Sequence, residues 1–327
     1  MTSKISLICP KHKNLLKLDR NKKKYFCSSG CIFEIKNKIP RFVPKENYCS
    51  SFGLQWNRYR LLQLDSFNKT TISRDRLTRL MGEPLKILMN KKVLEAGCGA
   101  GRFTEILLNY GAKVFAFDLS SAVEANFRNF KKNRNYSIIQ ADVAKLPFKK
   151  ASFDFVMGIG FIQHTPSPEK TIEILCSYLK PGGKLVIDHY TQGYPITFSR
   201  RVLRAFLLKK SPDFSLRFTK KLVSFLWPTH RFFWKIRKYP YMNKLRYKFL
   251  MLSPAVDYHD AYLELGDKLL LQSSILDTHD TLTDYYKHLR SAAEIKKILK
   301  NLGMKHIETY YAGNGVEAKA IKPKGRL

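Results

Sequence analysis

Three stretches of this chain carry residue types at spacings suited to chemistry. The first is Val93-Leu94-Glu95-Ala96-Gly97-Cys98-Gly99-Ala100-Gly101-Arg102-Phe103. An apolar run reaches an acid, three glycines follow at alternate positions, and an amphipathic helix begins at Phe103. Glycines let a backbone turn sharply at a strand end and come into contact with a ligand. The helix N-terminus behind such a turn favours anionic or polar groups. A second apolar run, Lys113–Phe117, ends at Asp118. An acid roughly 20 residues beyond a glycine turn is placed to accept hydrogen bonds from ribose hydroxyls.

The second stretch is Cys9-Pro10-Lys11-His12 followed by Cys27-Ser28-Ser29-Gly30-Cys31, with a basic turn Asn21-Lys22-Lys23-Lys24 between them. Cys9, His12, Cys27 and Cys31 can supply four ligands to one tetrahedral zinc, and four protein ligands leave no open position for catalysis. So small a module needs a staple. The third stretch contains Asp257-Tyr258-His259-Asp260 and Asp277-Thr278-His279-Asp280. Such clusters suit a general base with an orienting acid, a metal site, or turns with capping aspartates.

The elements that must position these residues alternate regularly. Apolar runs at Tyr136–Gln140, Phe153–Gly158 and Lys184–Ile187 read as strands. A helix runs from Pro168 to Leu179, with Ser167 as N-cap and Pro168 at its first position, and stops at Lys180-Pro181-Gly182-Gly183. This is βαβ alternation with a parallel sheet. His164 follows the fourth strand and His189 the fifth, so both fall at the carboxyl edge of the sheet, where open α/β folds bind ligands. Near the end, Ser291-x-x-Glu294 is a capping box and Gly303 a helix stop. Two further strands, Lys305–Tyr311 and Gly315–Lys322, close a hairpin.

In their order these motifs resemble the class I S-adenosylmethionine-dependent methyltransferases of the type 11 kind. The resemblance rests on Glu95-x-Gly97-x-Gly99-x-Gly101, Asp118-Leu119-Ser120, Gln140-Ala141-Asp142, Asp154-Phe155-Val156 with His164 after it, and Leu179-Lys180-Pro181-Gly182-Gly183. The Gly-x-Gly-x-x-Gly spacing of nicotinamide dehydrogenases is absent. The resemblance implies a Rossmann-like seven-stranded sheet with helices on both faces. It implies that Gly97, Gly99 and Gly101 approach the methionine part of S-adenosyl-L-methionine. Asp118, with Leu119, would hold the ribose. Asp142 and the Val143 backbone would meet the adenine, and Glu95 would fix the loop or its bound water. The first segment resembles the Trm112-like zinc ribbons that precede some methyltransferase domains. It departs from them in having His12 in place of a cysteine and three residues between Cys27 and Cys31 where two are usual.

Five regions are expected: a zinc-ribbon-like module at 1–46, a helical lead-in at 47–90, a cofactor-binding core at 91–190, a basic aromatic insertion at 191–290 and a closing helix and hairpin at 291–327. Segments like the lead-in cover the cofactor in related enzymes. Gln55 and Trp56 lie there, Trp56 either touching substrate or packing. Tyr190 would line the acceptor pocket.

The 327-residue chain has 59 Lys and Arg against 26 Asp and Glu, a formal charge of +33. That balance suits polyanions, or reflects a coding bias that leaves lysines in water. No apolar run reaches bilayer-spanning length, and Met1 to Lys13 lacks a signal-peptide core. These features lead us to expect a cytoplasmic enzyme, with room for peripheral contact at the inner membrane surface. Six cysteines in a reducing compartment do not read as a disulfide framework. Within 198–249 the insertion holds fifteen Lys or Arg and one acid, Asp213, among many aromatic residues. It reads first as a helical lid, then as a surface for anionic membrane, then for nucleic acid.

The expected function is in-line SN2 methyl transfer to a small-molecule or lipid- or glycan-linked acceptor, at oxygen. His189 or His279 is the expected base, with His164 shaping the pocket. The alternatives are an RNA methyltransferase and a non-catalytic cofactor-binding scaffold.

Overall fold

The computed structural model describes residues 6–43, 47–192 and 197–324. The expected boundary at residue 46, Pro44 before it and the first five residues lie outside the described residues. The N-terminal module is a four-stranded antiparallel sheet: β1 (Lys17–Leu18), β2 (Lys24–Phe26), β3 (Ile32–Lys36) and β4 (Ile39–Pro40). It has too few apolar residues for a core of its own. Its Cys9, Leu16, Cys27 and Phe42 instead join a cluster with Leu146 and Phe148 of the main body. Arg41 forms a parallel bridge to Gln140 and an ion pair with Glu124, which ties the module to the main sheet.

Three helices lead in: α1 (Ser50–Arg58), α2 (Asp65–Asn68) and α3 (Ile72–Met81). The core follows as β5 (Lys92–Ala96), α4 (Arg102–Asn109), β6 (Lys113–Asp118), α5 (Ala122–Phe130), β7 (Tyr136–Gln140), β8 (Phe153–Gly158), α6 (Pro168–Tyr178) and β9 (Leu179–Tyr190). After the insertion come α11 (Ala292–Asn301), β10 (Lys305–Ala312) and β11 (Gly315–Ile321). Four further helices, α7 (Phe198–Leu207), α8 (Pro212–Ile236), α9 (Pro240–Leu252) and α10 (Gly266–Thr283), make the insertion.

The main sheet has the order β10-β11-β9-β8-β5-β6-β7. β5 to β9 pair in parallel, and β10 and β11 are antiparallel. Both faces are covered because its strands are apolar on both. In β6, Phe115 and Phe117 enter one core cluster, while Val114 and Ala116 enter the other. Such two-sided burial is what a parallel sheet between helices requires. Connections leave β5 and β8 in opposite directions, so a crevice opens between their carboxyl ends.

β9 starts earlier than its apolar run suggests. Leu179 already pairs with Phe153, and the register shifts between Phe153 and Phe155. The Lys180–Gly183 segment, read as the stop of the preceding helix, is therefore part of the strand.

In the insertion, α8 buries Ser215, Thr219, Val223, Trp227 and His230 along one face. The Asp257–Asp260 cluster fastens these helices together. His230 Nδ1 and Nε2 meet Asp257 Oδ2 at 2.5 Å and Ser253 Oγ at 2.9 Å. His259 Nδ1 meets Asp257 Oδ1 at 3.0 Å, and Arg246 pairs with Asp260 at 2.7 Å. Among the described residues no helix is long and apolar enough to cross a membrane.

Candidate functional site

A cavity of about 930 Å³ opens at the crevice. This lies at the upper end of the roughly 300–1,000 Å³ of ligand pockets, room for more than one small reactant. Its floor is the glycine loop. Gly97 and Gly101 have φ of 66° and 103°, where a side chain is strained. A Cβ on Gly97 would meet the Phe161 ring at 2.5 Å, and one on Gly101 the Phe130 ring at 2.2 Å. The loop therefore stays bare, and its backbone faces the cavity. Trp56 of α1 lies over Gly99.

Asp118 stands beside that loop. Its Oδ2 accepts from Gly99 N at 3.0 Å, and its Oδ1 accepts from Ser120 N at 2.8 Å and Ser120 Oγ at 2.7 Å. A carboxylate has about four acceptor positions, so one is left towards the cavity. Burial raises its pKa, and these bonds hold it down in part. Asp142 caps a short turn through Ala144 N at 2.8 Å, and Leu119, Asp142 and Val143 also line the cavity. Glu95 is buried beneath the loop and accepts from Thr104 Oγ1 at 2.6 Å. Burial pushes its pKa up to about 8, despite the Thr104 bonds.

This donor and acceptor set fits a purine nucleoside bearing a charged amino-acid tail. There is bare backbone for close approach, one acid at a second strand end for ribose, and a third-strand acid and loop for the base. Arg76 and Arg102 flank the same floor. Arg76 is paired with buried Asp188, whose other oxygen accepts from Gly160 N at 2.6 Å. Arg102 donates to Ser73 Oγ at 3.0 Å.

The three histidines singled out from sequence are not brought together. His164 lines the cavity beside Tyr190. Its Nδ1 lies 3.1 Å from Tyr286 O and 3.4 Å from Asp284 Oδ2. Burial disfavours its charge, but Asp284 outweighs that and its pKa rises. His189 and His279 do not line the cavity. Strand alternation sends His189 to the face opposite Asp188 and Tyr190, where it contacts Tyr190 O at 2.8 Å. His279 contacts Gln55 Oε1 at 2.6 Å in the core. Burial lowers the pKa of both to about 4, so both are neutral.

The helical period explains what turns in instead. On α10, Ser273, Asp277 and Asp280 line the cavity, the i, i+4, i+7 face, and His279 falls off it. Asp277 accepts from Tyr258 OH at 2.5 Å. Burial raises its pKa to about 6, against that bond and the charges of Arg102 and Arg76. Asp280 accepts from Gln55 Nε2 at 3.1 Å. Sequence reading singled out the Asp277–Asp280 cluster but favoured its histidine. The spacing 273/277/280 was the signal available. Arg76 and Arg102 gave no signal beyond their charge.

In the N-terminal module the four ligand atoms of Cys9, His12, Cys27 and Cys31 lie within 4.8 Å of one another. His12 Nδ1 is 3.8, 3.5 and 3.5 Å from the sulfurs of Cys9, Cys27 and Cys31. Tetrahedral zinc, with Zn–S about 2.3 Å and Zn–N about 2.0–2.1 Å, separates sulfur from nitrogen by about 3.6 Å. The side chains thus fit a structural zinc, as a zinc-ribbon-like segment would.

Residues 94–187 match the family described as methyltransferase domain. The matched stretch runs from β5 into β9 and takes in the glycine loop. The domain is similar to the ubiquinone biosynthesis O-methyltransferase of Nitrosococcus oceani, 35% identical over 101 residues, covering 30% of this chain and 43% of that one. It is also similar to the malonyl-[acyl-carrier protein] O-methyltransferase of a Paenibacillus species, 36% identical over 115 residues, covering 33% and 40%. The chain spans less than half the length of these curated relatives. A SAM-dependent methyltransferase from Aquifex aeolicus superposes with a TM-score of 0.44 at 14% identity, covering 85% of this chain and 100% of that one.

Proposed function

We propose that the chain transfers the methyl group of S-adenosylmethionine to an oxygen of a small-molecule or lipid-linked acceptor held beneath the insertion. The observation that carries this reading is one continuous cavity. Its floor is the Gly97–Gly101 loop with Asp118, and its opposite side is the α10 face with Asp277.

When bound, S-adenosylmethionine supplies an electrophilic methyl group on a sulfonium centre. The chain's own residues do the rest. Asp118 and Leu119 hold the ribose, Asp142 and Val143 the adenine, and the glycine loop the methionine part. Arg76 and Arg102 face its carboxylate. Asp277 takes the proton of the acceptor hydroxyl, and Tyr258 orients that carboxylate. Its buried pKa of about 6 leaves it ionised at neutral pH yet more basic than an exposed aspartate. His164, Tyr190 and Trp56 wall the acceptor in, and the insertion keeps water from the reacting atoms, which favours a fixed in-line geometry. Cys9, His12, Cys27 and Cys31 hold a zinc that staples the N-terminal module.

The test is methyl-labelled S-adenosylmethionine with a cell extract separated into RNA, protein, lipid and small polar fractions. The Asp118→Ala variant is the blank. Label in lipid or small polar material supports the reading. Label in RNA overturns it in favour of an RNA acceptor, and cofactor binding without label in any fraction favours a scaffold.

A further inference from the structure

Two helices of the insertion turn arginines inward and leave a stripe of apolar side chains outside, although α7 also buries Leu207. On α7, Arg200 and Arg204 turn inward. Arg200 donates to Pro254 O and Ala255 O at 3.0 and 2.9 Å, and Arg204 pairs with Asp284 at 2.9 Å. The outward stripe is Phe198, Val202 and Phe206, at i, i+4 and i+8, which are 82%, 53% and 43% exposed. On α9, Arg246 is the buried residue, at 1% exposure. Tyr247, Met251 and Leu252 stand outward at 56%, 70% and 74%. A helix on a protein surrounded only by water has the reverse arrangement, charge outward and apolar stripe inward.

The two stripes are neighbours. Ser199 Oγ donates to Leu252 O at 2.7 Å, joining the start of α7 to the end of α9. Tyr247 and Met251 also line the cavity, as do Thr197 and Arg200. Exposed apolar side chains therefore rim its mouth. Around them the surface is cationic: Arg201, Lys209, Lys244 and Lys248 are all exposed. Within 198–249 the sole acid is Asp213.

We propose that this α7–α9 face docks on an anionic lipid bilayer, so that an amphiphilic acceptor enters the cavity from the membrane surface. Apolar side chains would enter the headgroup and acyl boundary while the surrounding cations meet lipid phosphates. Nucleic acid is the weaker occupant, because aliphatic Val202, Met251 and Leu252 interrupt the rings of Phe198, Phe206 and Tyr247 on this face, and aliphatic side chains suit acyl chains rather than stacked bases. The docking is independent of the methyltransferase reading; only the entry of the acceptor rests on it.

The test uses the whole chain with sedimented vesicles of phosphatidylcholine alone or mixed with phosphatidylglycerol. Binding is expected to the mixed vesicles and to weaken as salt rises. The triple variant Phe198→Ser, Val202→Ser, Leu252→Ser should bind them at least about tenfold more weakly, with S-adenosylmethionine binding and circular dichroism kept as checks of folding. None of these three side chains lines the cavity. A well-folded variant that binds as the parent does would overturn the proposal, as would a parent that ignores anionic vesicles or binds RNA in preference to them. The Asp118→Ala chain should still bind vesicles, so failure of the methyl-transfer reading is separable from failure of docking.

Discussion

The Gly99 backbone N–H donates to Asp118 Oδ2 at 3.0 Å, so the glycine loop and the acid proposed to hold the ribose are one hydrogen-bonded unit. Replacing Asp118 by Ala removes both the acceptor for ribose and the brace on Gly99. A hydrogen bond to a charged group contributes about 1.5–3 kcal/mol. The affinity for S-adenosylmethionine should therefore fall roughly 10- to 100-fold, measured by titration calorimetry. Unchanged affinity would mean that the ribose sits elsewhere.

Asp277→Asn should lower kcat by about 100-fold or more, the usual share of a general base, with little change in cofactor affinity. The parent's rate should rise with pH through about 6, because the ionised carboxylate is the active form. The variant should lose that rise. Stability should move the other way. The folded-state pKa lies above the ordinary value, so this group's contribution is present in acid and is lost as pH rises through about 6. The Asn variant should be at least as stable as the parent above that pH, by urea denaturation. A parent-like pH profile in the variant would remove Asp277 from the proton transfer.

Glu95 has the same sign at a higher pH. Burial raises its pKa to about 8, so stability should decline as pH rises through that value, with protons held more tightly by the folded chain. Glu95→Gln should flatten the decline in Tm measured across that range without ligand. An equal decline in both chains would assign it to other groups.

Arg76 and Asp188 form a buried ion pair that joins α3 to β9 beside the cavity. Arg76→Met leaves Asp188 without its charge partner. Breaking one side of such a pair costs about 3–5 kcal/mol. The urea midpoint should fall accordingly, and a loss under about 1 kcal/mol would mean that water replaces the guanidinium there.

Metal analysis of the purified chain should find one zinc, and Cys27→Ser should remove most of it. The module shares its apolar cluster with Leu146 and Phe148. Chelation should therefore lower the main thermal transition rather than add a separate early one. A metal-free chain with the same Tm would show that the ribbon stands without zinc.

The βαβ alternation and the glycine loop with Asp118 beside it were legible in the sequence because they depend on local signals. Strand alternation, a glycine run and an acid at a strand end lie within a few residues of one another. The Cys9, His12, Cys27 and Cys31 cluster was legible from its spacing. Which polar side chains of β9 and α10 turn into the cavity was not. His189 and His279 stood out by residue type, but strand alternation and the helical period turned both into the core. Asp277 meets the cavity only because α10, packed against α8, α7 and α1, turns that face towards it.

The amino-acid sequence by itself determined the βαβ core, the acid at the end of its second strand and the cationic character of the insertion. Tertiary structure alone decided which face of each inserted helix looks outward. Arg200, Arg204 and Arg246 are drawn inward by carbonyls and carboxylates far along the chain, and no local pattern reveals such partners. That choice leaves Phe198, Val202 and Leu252 outside, beside the mouth of the cavity.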